Sequence, residues 1–300
     1  MKHPKTLQKG STVRIISTAR RITETEVAPA VKVLESWGLN VEFGKHLYSH
    51  HHQFSGTDAQ RLEDLQNALD ADHVDAIWCA RGGYGTVKLL DDIDFSAFEK
   101  KPKWVVGYSD VTGLLCHINQ VLGISTLHAT MPINIMHQLD QAHLDAINSM
   151  KRVLFGETLN YSFPRHNLTR QGDCTGSIIG GNLSIIYSIL GSESCPNTAG
   201  KILFLEDLDE YLYHVDRMMT NLKRNGLLDR LSGLVIGGMT DMNDNTIKYG
   251  KTAEEIVWEH VNEYDYPVYF GFDAGHVARN LALPFGPEAR IENNALIVDF

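Results

Sequence analysis

Three segments far apart in the chain each carry an apolar run into a residue type that covalent hydrolases use. The run at 104–110 (Trp-Val-Val-Gly-Tyr-Ser-Asp) reaches a serine, the run at 202–207 (Ile-Leu-Phe-Leu-Glu-Asp) reaches carboxylates, and the run from 267 reaches a glycine-flanked histidine. Ligands of open α/β sheets bind beyond the carboxyl ends of the strands. Acyl transfer by a triad needs a serine, a carboxylate and a histidine to converge there. This spacing indicates an enzyme with three candidate catalytic residues: Ser109, Glu206 and His276.

The serine also has a purely structural interpretation. A Ser-Asp pair before a helix is often only an N-cap, and the local sequence favours that role at least as strongly. Gly107 favours a nucleophile because it relieves crowding in a tight strand-to-helix turn. Such a turn would aim the N–H of Asp110 at a developing oxyanion. The match to the G-x-S-x-G elbow is partial, since Val111 replaces its second glycine.

A glycine-rich turn, Arg81-Gly-Gly-Tyr-Gly85, ends the strand that precedes the serine strand. Glycines in such turns often only permit positive φ angles. The turn completes neither of the common phosphate-binding motifs. Next to Ser109, a backbone N–H of Gly82 or Gly83 becomes a candidate for the second donor of an oxyanion hole.

Singly, the other two candidates have ordinary interpretations. An acidic residue at a strand end is most often solvated or a helix cap, and a lone histidine is normally structural or exposed. Asp209 and Glu210 lie farther from the strand and are interpreted as surface charges. The histidines at 46 and 50–52 are adjacent loop residues without a metal-binding motif, so no metal site is expected.

Composition limits the classes of function. The 300 residues are 43% hydrophobic and 21% charged with a net charge of −10, which argues against binding to nucleic acid or to an anionic membrane. The four cysteines form no C-x-x-C pair, which favours a reducing compartment. No apolar run has the length of a signal-peptide core or a membrane span. We expect a cytoplasmic protein.

Strands alternate with helices along the chain, which predicts the α/β class. We expect an N-terminal domain (1–155) with a doubly wound, mostly parallel sheet and the nucleophile. A linker (156–175) should follow, where the pattern weakens around Pro164. The C-terminal domain (176–300) should be α/β with a few antiparallel terminal strands, and should carry the glutamate and the histidine. The site would then lie between the domains.

Five motifs in order, spanning most of the chain, resemble the LD-carboxypeptidases, serine peptidases of murein recycling that are related to the microcin C immunity peptidases. The motifs are Arg81-Gly-Gly-Tyr-Gly85, Val106-Gly-Tyr-Ser-Asp110, Gly180-Gly-Asn-Leu183, Phe204-Leu-Glu-Asp207 and Gly275-His276 with Asn280 and Pro284-Phe-Gly286.

The resemblance implies a triad of Ser109, Glu206 and His276, with oxyanion donors from the backbone of Asp110 and of the Gly82-Gly83 turn. It implies no metal or other cofactor and usually a homodimer. The implied substrate is a cytosolic murein tetrapeptide, which loses the terminal D-alanine from an L-configured diaminopimelate or lysine. The terminal carboxylate needs a cation, and Arg81 is the candidate, although it could equally pin the turn.

Two alternatives remain open. A microcin-immunity-type peptidase would cleave an acyl-sulfamoyl adenylate and would need an aromatic platform for adenine. Tyr161 and Phe163 are the available aromatic residues before the second domain, and no tryptophan accompanies them. The other alternative is a non-catalytic α/β protein whose glycine turns bind a small ligand, with Ser109 acting only as a cap.

Overall fold

The computed structural model describes residues 1–300, which form two β-sheets packed with helices. The strands are β1 (Thr12–Ile16), β2 (Asn40–Phe43), β3 (Ala76–Cys79), β4 (Trp104–Gly107), β5 (Thr126–His128), β6 (Leu159–Ser162), β7 (Cys174–Asn182), β8 (Ile202–Leu208), β9 (Gly233–Thr240), β10 (Val268–Tyr269), β11 (Leu283–Phe285), β12 (Glu288–Glu292) and β13 (Ala295–Val298). The α-helices are α1 (Glu24–Ser36), α2 (Asp58–Asp70), α3 (Ser96–Lys100), α4 (Thr112–Leu122), α5 (Gln141–Leu154), α6 (Leu183–Ser188), α7 (Leu212–Arg224) and α8 (Ala253–Val261).

The first sheet has the strand order β11-β5-β4-β3-β1-β2, and all its pairs are parallel except β11 with β5. Strands β3 and β4 are buried along their whole length. Buried parallel strands are nearly continuous in apolar residues because helices cover both faces. This is why these strands show as apolar runs in the sequence rather than as an alternation.

The second sheet has the order β10-β9-β8-β7-β12-β13-β6. Its β7 to β10 half is parallel, while β12, β13 and β6 are antiparallel. The turn between β12 and β13 contains Asn293 and Asn294 with φ angles of 51° and 60°. Two consecutive positive φ angles are typical of a tight hairpin turn. The predicted fold class is confirmed, including the antiparallel strands at the end of the chain.

Helix α4 joins the two sheets. Its residues from Thr112 to Asn119 are all buried, as expected for a helix that is apolar on most of its faces. The Cys116 thiol lies 3.4 Å from the carbonyl oxygen of Gly180 at the end of β7. A single connected core of 81 buried apolar residues includes strands of both sheets. The two halves of the chain are therefore docked through a continuous apolar interior.

Three helices begin with a capping box. Thr57 caps α2, and with Gln60 it forms a capping box that satisfies free N–H groups at the helix start. Thr23 with Glu26 and Thr252 with Glu255 do the same for α1 and α8. No helix combines the length and the apolar composition that crossing a bilayer would require.

Two short strands, β6 and β11, are not predicted by the sequence pattern. Strand β6 lies inside the segment predicted to be a linker and pairs with β13, so part of that segment belongs to the second sheet. Strand β11 comes from the C-terminal part of the chain but pairs with β5 in the first sheet. Both are edge strands, and β11 contains Pro284, a residue that sheets accept at their edges. Strand β6 has four residues and β11 has three, so neither strand is long enough to show a recognisable periodicity in the sequence.

Candidate active site

Ser109 follows β4 and begins a single 3-10 turn, Ser109–Val111, that leads into α4. Its φ angle is 60°, in the left-handed region that non-glycine residues seldom adopt. Such backbone strain clusters at functional sites. Gly107 is required because a Cβ there would lie 2.9 Å from the side chain of Val111. The turn is therefore as tight as the sequence predicted.

Ser109, His276 and Glu206 form one continuous chain of hydrogen bonds. The Oγ of Ser109 lies 3.1 Å from Nε2 of His276. On the other side of the imidazole ring, Nδ1 lies 2.6 Å from Oε2 of Glu206. The same carboxylate oxygen also accepts the backbone N–H of His276 at 3.1 Å. With Nδ1 protonated, Nε2 is left as an acceptor that faces the serine hydroxyl.

Glu206 is fully buried, unlike most acidic residues near strand ends. The pairing of β8 with β9 shifts register between Leu205 and Asp207, so Glu206 sits at a bulge. Bulges re-aim side chains and recur next to active sites. Gly275 has a φ angle of 95°, and any Cβ there would collide with the Glu206 carboxylate. A glycine at this position lets the histidine loop approach the glutamate closely.

The Glu206 carboxylate changes the electrostatics of His276. Burial of the ring opposes its protonation, but the hydrogen bond and the negative charge of Glu206 outweigh burial. The pKa of His276 is therefore raised above its ordinary value. The Tyr108 ring packs against the imidazole with 4.9 Å between ring centroids, which restricts the ring further. This arrangement favours an imidazolium formed during a reaction.

The Gly82-Gly83 turn lies directly beside the serine. A Cβ on Gly82 would be 3.0 Å from Cβ and 3.1 Å from Oγ of Ser109, and 3.4 Å from the backbone nitrogen of Asp110. The Asp110 N–H and the glycine turn therefore border the same small space next to Oγ. Two backbone donors in such a space are what an oxyanion hole requires.

The side chain of Asp110 ties the two turns together. Its Oδ2 accepts the backbone N–H of Thr86 at 2.9 Å, just after the glycine turn. The carboxyl group is buried, and burial raises the pKa of Asp110 despite this hydrogen bond. The sequence pointed only to the backbone N–H of Asp110, because a side-chain contact 24 residues away leaves no local signal.

Asp207 occupies a second buried position beside Glu206. Its carboxylate accepts hydrogen bonds from Nδ2 of Asn182 at 2.8 Å and from the backbone N–H of Ser184 at 2.9 Å. Burial, together with the negative charge of Glu206, raises the pKa of Asp207 to about 7. The Gly180-Gly-Asn-Leu183 motif thus holds the carboxylate that adjoins the catalytic candidate.

Ser109 and His276 lie in a cleft of about 480 Å³ with walls from both halves of the chain. The first half contributes Arg20 and Arg81, and the second contributes Asp207, Asp209 and Glu210. Asp209 and Glu210, which the sequence indicates as surface charges, lie at the surface where they line this cleft. The cleft therefore has a basic side and an acidic side.

The two arginines of the cleft differ in their contacts. Arg81 lines the cleft, but one guanidinium nitrogen lies 3.3 Å from the carbonyl oxygen of Arg21, and the group is 3.9 Å from Glu26. Arg20 also lines the cleft, and no sequence motif marks it as a candidate. Arg20 lies beyond the carboxyl end of β1. Because ligands of such sheets bind beyond the carboxyl ends of the strands, this position is the one sequence signal that could have identified Arg20.

The two aromatic residues considered as an adenine platform are packed in the interior. Tyr161 is 7% exposed and donates its hydroxyl to the carbonyl of Ala282. Phe163 is 5% exposed and stacks on Tyr269 with 4.1 Å between ring centroids. Neither ring lines the cleft that contains Ser109. No group of three or more histidine, cysteine or acidic side chains is arranged to hold a metal ion.

Two family models match the chain. The LD-carboxypeptidase N-terminal domain matches residues 13–129, and the LD-carboxypeptidase C-terminal domain matches residues 175–291. The first match contains Ser109 and the glycine turn, and the second contains Glu206 and His276.

Curated relatives agree over nearly the whole chain. A probable murein peptide carboxypeptidase from Bacillus subtilis is 36% identical over 95% of this chain and 90% of its own length. The murein tetrapeptide carboxypeptidase of Pseudomonas aeruginosa is 30% identical over 95% of this chain and 94% of its own.

Two solved structures share the fold. The first is MccF in complex with glutamyl sulfamoyl guanosine, with a TM-score of 0.88 and 23% identity, covering 99% of this chain and 98% of that one. The second is a muramoyltetrapeptide carboxypeptidase from Oxalobacter formigenes, with a TM-score of 0.87 and 24% identity, covering 96% and 99%. At these identities the likeness concerns the architecture.

Proposed function

The chain belongs to the LD-carboxypeptidase family, as its five ordered motifs predicted, and on that premise we propose that it is a serine carboxypeptidase acting on murein tetrapeptides. It removes the terminal D-alanine by hydrolysing the bond to an L-configured residue. The observation that carries the proposal is the hydrogen-bond chain from Ser109 through His276 to Glu206. The names of the Bacillus and Pseudomonas relatives support the choice of substrate.

Acylation begins at the serine. Oγ of Ser109 attacks the carbonyl carbon of the L-configured residue while Nε2 of His276 takes the hydroxyl proton. Glu206 holds the ring through Nδ1 and balances the positive charge that forms. The N–H of Asp110 and a donor of the Gly82-Gly83 turn stabilise the oxyanion of the tetrahedral intermediate.

Loss of D-alanine completes acylation, and hydrolysis of the acyl-enzyme by water follows. As the intermediate collapses, Nε2 of His276 gives its proton to the amine of D-alanine, and the carbon–nitrogen bond breaks. The tripeptide remains as an ester on Ser109. A water molecule then attacks this ester with His276 as base, and the proton returns to Oγ when the tripeptide leaves.

Mass spectrometry of a defined murein tetrapeptide tests the proposal. The purified protein is expected to release one alanine, which chiral analysis identifies as the D form. Ser109→Ala should lower turnover by about 10⁶-fold. Near-normal activity of Ser109→Ala would contradict the assignment of the nucleophile. Cleavage of an aminoacyl-sulfamoyl adenylate in place of the tetrapeptide would assign the protein to the microcin-immunity alternative.

Chemical labelling addresses the non-catalytic alternative. A fluorophosphonate reacts with activated serines, and we expect it to label Ser109 in the unmodified protein but not in His276→Ala. Labelling that survives His276→Ala would mean that the histidine does not activate the serine.

We also propose that the protein is cytoplasmic and works as a homodimer without a metal or other cofactor. Its four cysteines are all unpaired, which supports a reducing compartment. Light scattering coupled to size exclusion tests the dimer, and a mass of one chain at micromolar concentration would contradict it.

A further inference from the structure

Arg20 is held in place by its backbone. Its N–H donates to the carbonyl of Gly82 at 3.4 Å, and its own carbonyl accepts the hydroxyl of Ser17 at 2.8 Å. The neighbouring Arg21 N–H donates to the carbonyl of Gln53 at 2.9 Å. The chain at the end of β1 is thereby fastened to the glycine turn and to the 46–55 loop.

The side chain of Arg20 lies across Gly83. A Cβ on Gly83 would be 2.5 Å from Cδ and 2.7 Å from Nε of Arg20. The preceding residue, Gly82, contacts Ser109 in the same way. Ser109 and the Arg20 side chain therefore contact adjacent residues of one dipeptide, Gly82-Gly83. A terminal carboxylate is likewise one residue away from the scissile carbonyl, so this separation suits an exopeptidase.

Among the arginines of the cleft, Arg20 is the one whose guanidinium is available. Every hydrogen bond that Arg20 makes inside the protein comes from its backbone. Arg81 instead contacts the carbonyl of Arg21 and lies near Glu26. A planar guanidinium without an internal partner, on a fixed backbone beside the nucleophile, fits a carboxylate in a bidentate way.

We propose that Arg20, rather than Arg81, binds the terminal carboxylate of the substrate and makes the enzyme a carboxypeptidase. The proposal rests on the proposed function and names the residue that sets its specificity for chain ends. The acceptor is the α-carboxylate of the last residue, whatever residue occupies the third position of the peptide.

Binding to an inactive protein tests the role of Arg20 without relying on turnover. In a Ser109→Ala background, calorimetry compares a murein tetrapeptide ending in free D-alanine with the same peptide ending in D-alaninamide. We expect the acid to bind about 10- to 100-fold more tightly, the usual worth of hydrogen bonds between charged groups. Adding Arg20→Ala should abolish the preference, and Arg20→Lys should restore part of it because the charge remains without the planar fork.

Two further arginine variants show whether Arg20 or a neighbouring arginine binds the terminal carboxylate. Arg21→Ala is the matched control, because Arg21 carries the same charge, is adjacent to Arg20 in the sequence and does not line the cleft of Ser109. It should leave the acid preference intact. If Arg81→Ala removes the preference while Arg20→Ala leaves it, the inference is overturned. Equal affinity for acid and amide with Arg20 present, including no measurable binding of either, overturns it as well.

The same peptides with the serine-containing protein separate the two proposals. Failure to release D-alanine while the acid preference of the Ser109→Ala protein depends on Arg20 would count against the proposed function alone. Release of D-alanine with kcat/KM unchanged by Arg20→Ala would count against Arg20 alone.

Discussion

One carboxylate oxygen of Glu206 accepts both the ring Nδ1–H and the backbone N–H of His276, at 2.6 and 3.1 Å. A single side chain thus fixes the position of the histidine loop and the tautomer of its ring. The other half of the chain supplies Ser109, whose Oγ lies 3.1 Å from Nε2 of the same ring.

Glu206→Gln should lower kcat by about 10⁴-fold, because an amide can also stabilise the wrong tautomer of His276. The pH profile should change too. His276 must be neutral to act as a base, so activity falls as the pH drops through its pKa. Glu206 raises that pKa. Residual activity of Glu206→Gln should therefore persist to lower pH, which a kcat/KM profile measures.

Glu210→Gln is the control for this change of charge. Glu210 lines the same cleft but bonds to His214 and not to His276. The kcat/KM of Glu210→Gln should fall on the acid side at the same pH as that of the unmodified enzyme. An acid limb of Glu206→Gln that stays in place, or moves to higher pH, would contradict the role given to Glu206.

Gly82→Ala should lower activity without unfolding the protein. The φ angle of Gly82 lies outside the left-handed region, but the added methyl group would lie 3.1 Å from Oγ of Ser109 and fill the space for the oxyanion. We expect kcat to fall by about 10²–10³-fold, as for loss of one oxyanion donor. Gly113→Ala is the control, because its methyl group would meet its nearest neighbours at 3.7 Å. Equal kcat values for the two variants would argue against an oxyanion site beside Gly82.

Asp110 offers a test of how its side chain positions the glycine turn. Asp110→Ala leaves the buried N–H of Thr86 without its acceptor, so the turn should shift and kcat should fall by about 10²-fold. Asp110→Asn keeps an oxygen for that N–H and should stay within about tenfold of the unmodified enzyme. Steady-state kinetics of the pair separates positioning from charge, since charge as the cause would make the two losses similar.

The strained backbone of Ser109 should lower the free energy of unfolding of the protein. Ser109→Gly and Ser109→Ala both remove the nucleophile, but glycine adopts a φ angle of 60° without the steric cost that other residues bear. Ser109→Gly should be about 1 kcal/mol more stable than Ser109→Ala, a difference that thermal unfolding of the two proteins measures. Equal melting temperatures would mean that the turn relaxes once the serine is lost.

The sequence predicted those site residues that lie at or near the ends of strands. Ser109 and Glu206 follow apolar runs of the kind that buried parallel strands produce, and His276 follows a short strand of the same sheet as Glu206. The structure brings all three together. Their order along the chain matched the family motifs, which is why the fold class and the family were both predictable.

Contacts between segments that are far apart in the sequence could not be predicted in this way. Arg20 has no motif of its own, and its position across Gly83 exists only after β1 and β3 pair. The burial of Tyr161 and Phe163 depends on β6 joining the second sheet. The side-chain contact of Asp110 with Thr86 joins residues 24 positions apart, which no local pattern relates.

Strand β11 leaves the second half of the chain to complete the edge of the first sheet, seven residues after His276. Separating the halves would strip β5 of this neighbour and leave its N–H and C=O groups as an open edge that invites aggregation. The halves are therefore not interchangeable modules. A hybrid that combines one half of this protein with the other half of a relative would have to form the pairing of β5 with β11 between two different parents. The two strands must match there before the serine and the histidine can meet.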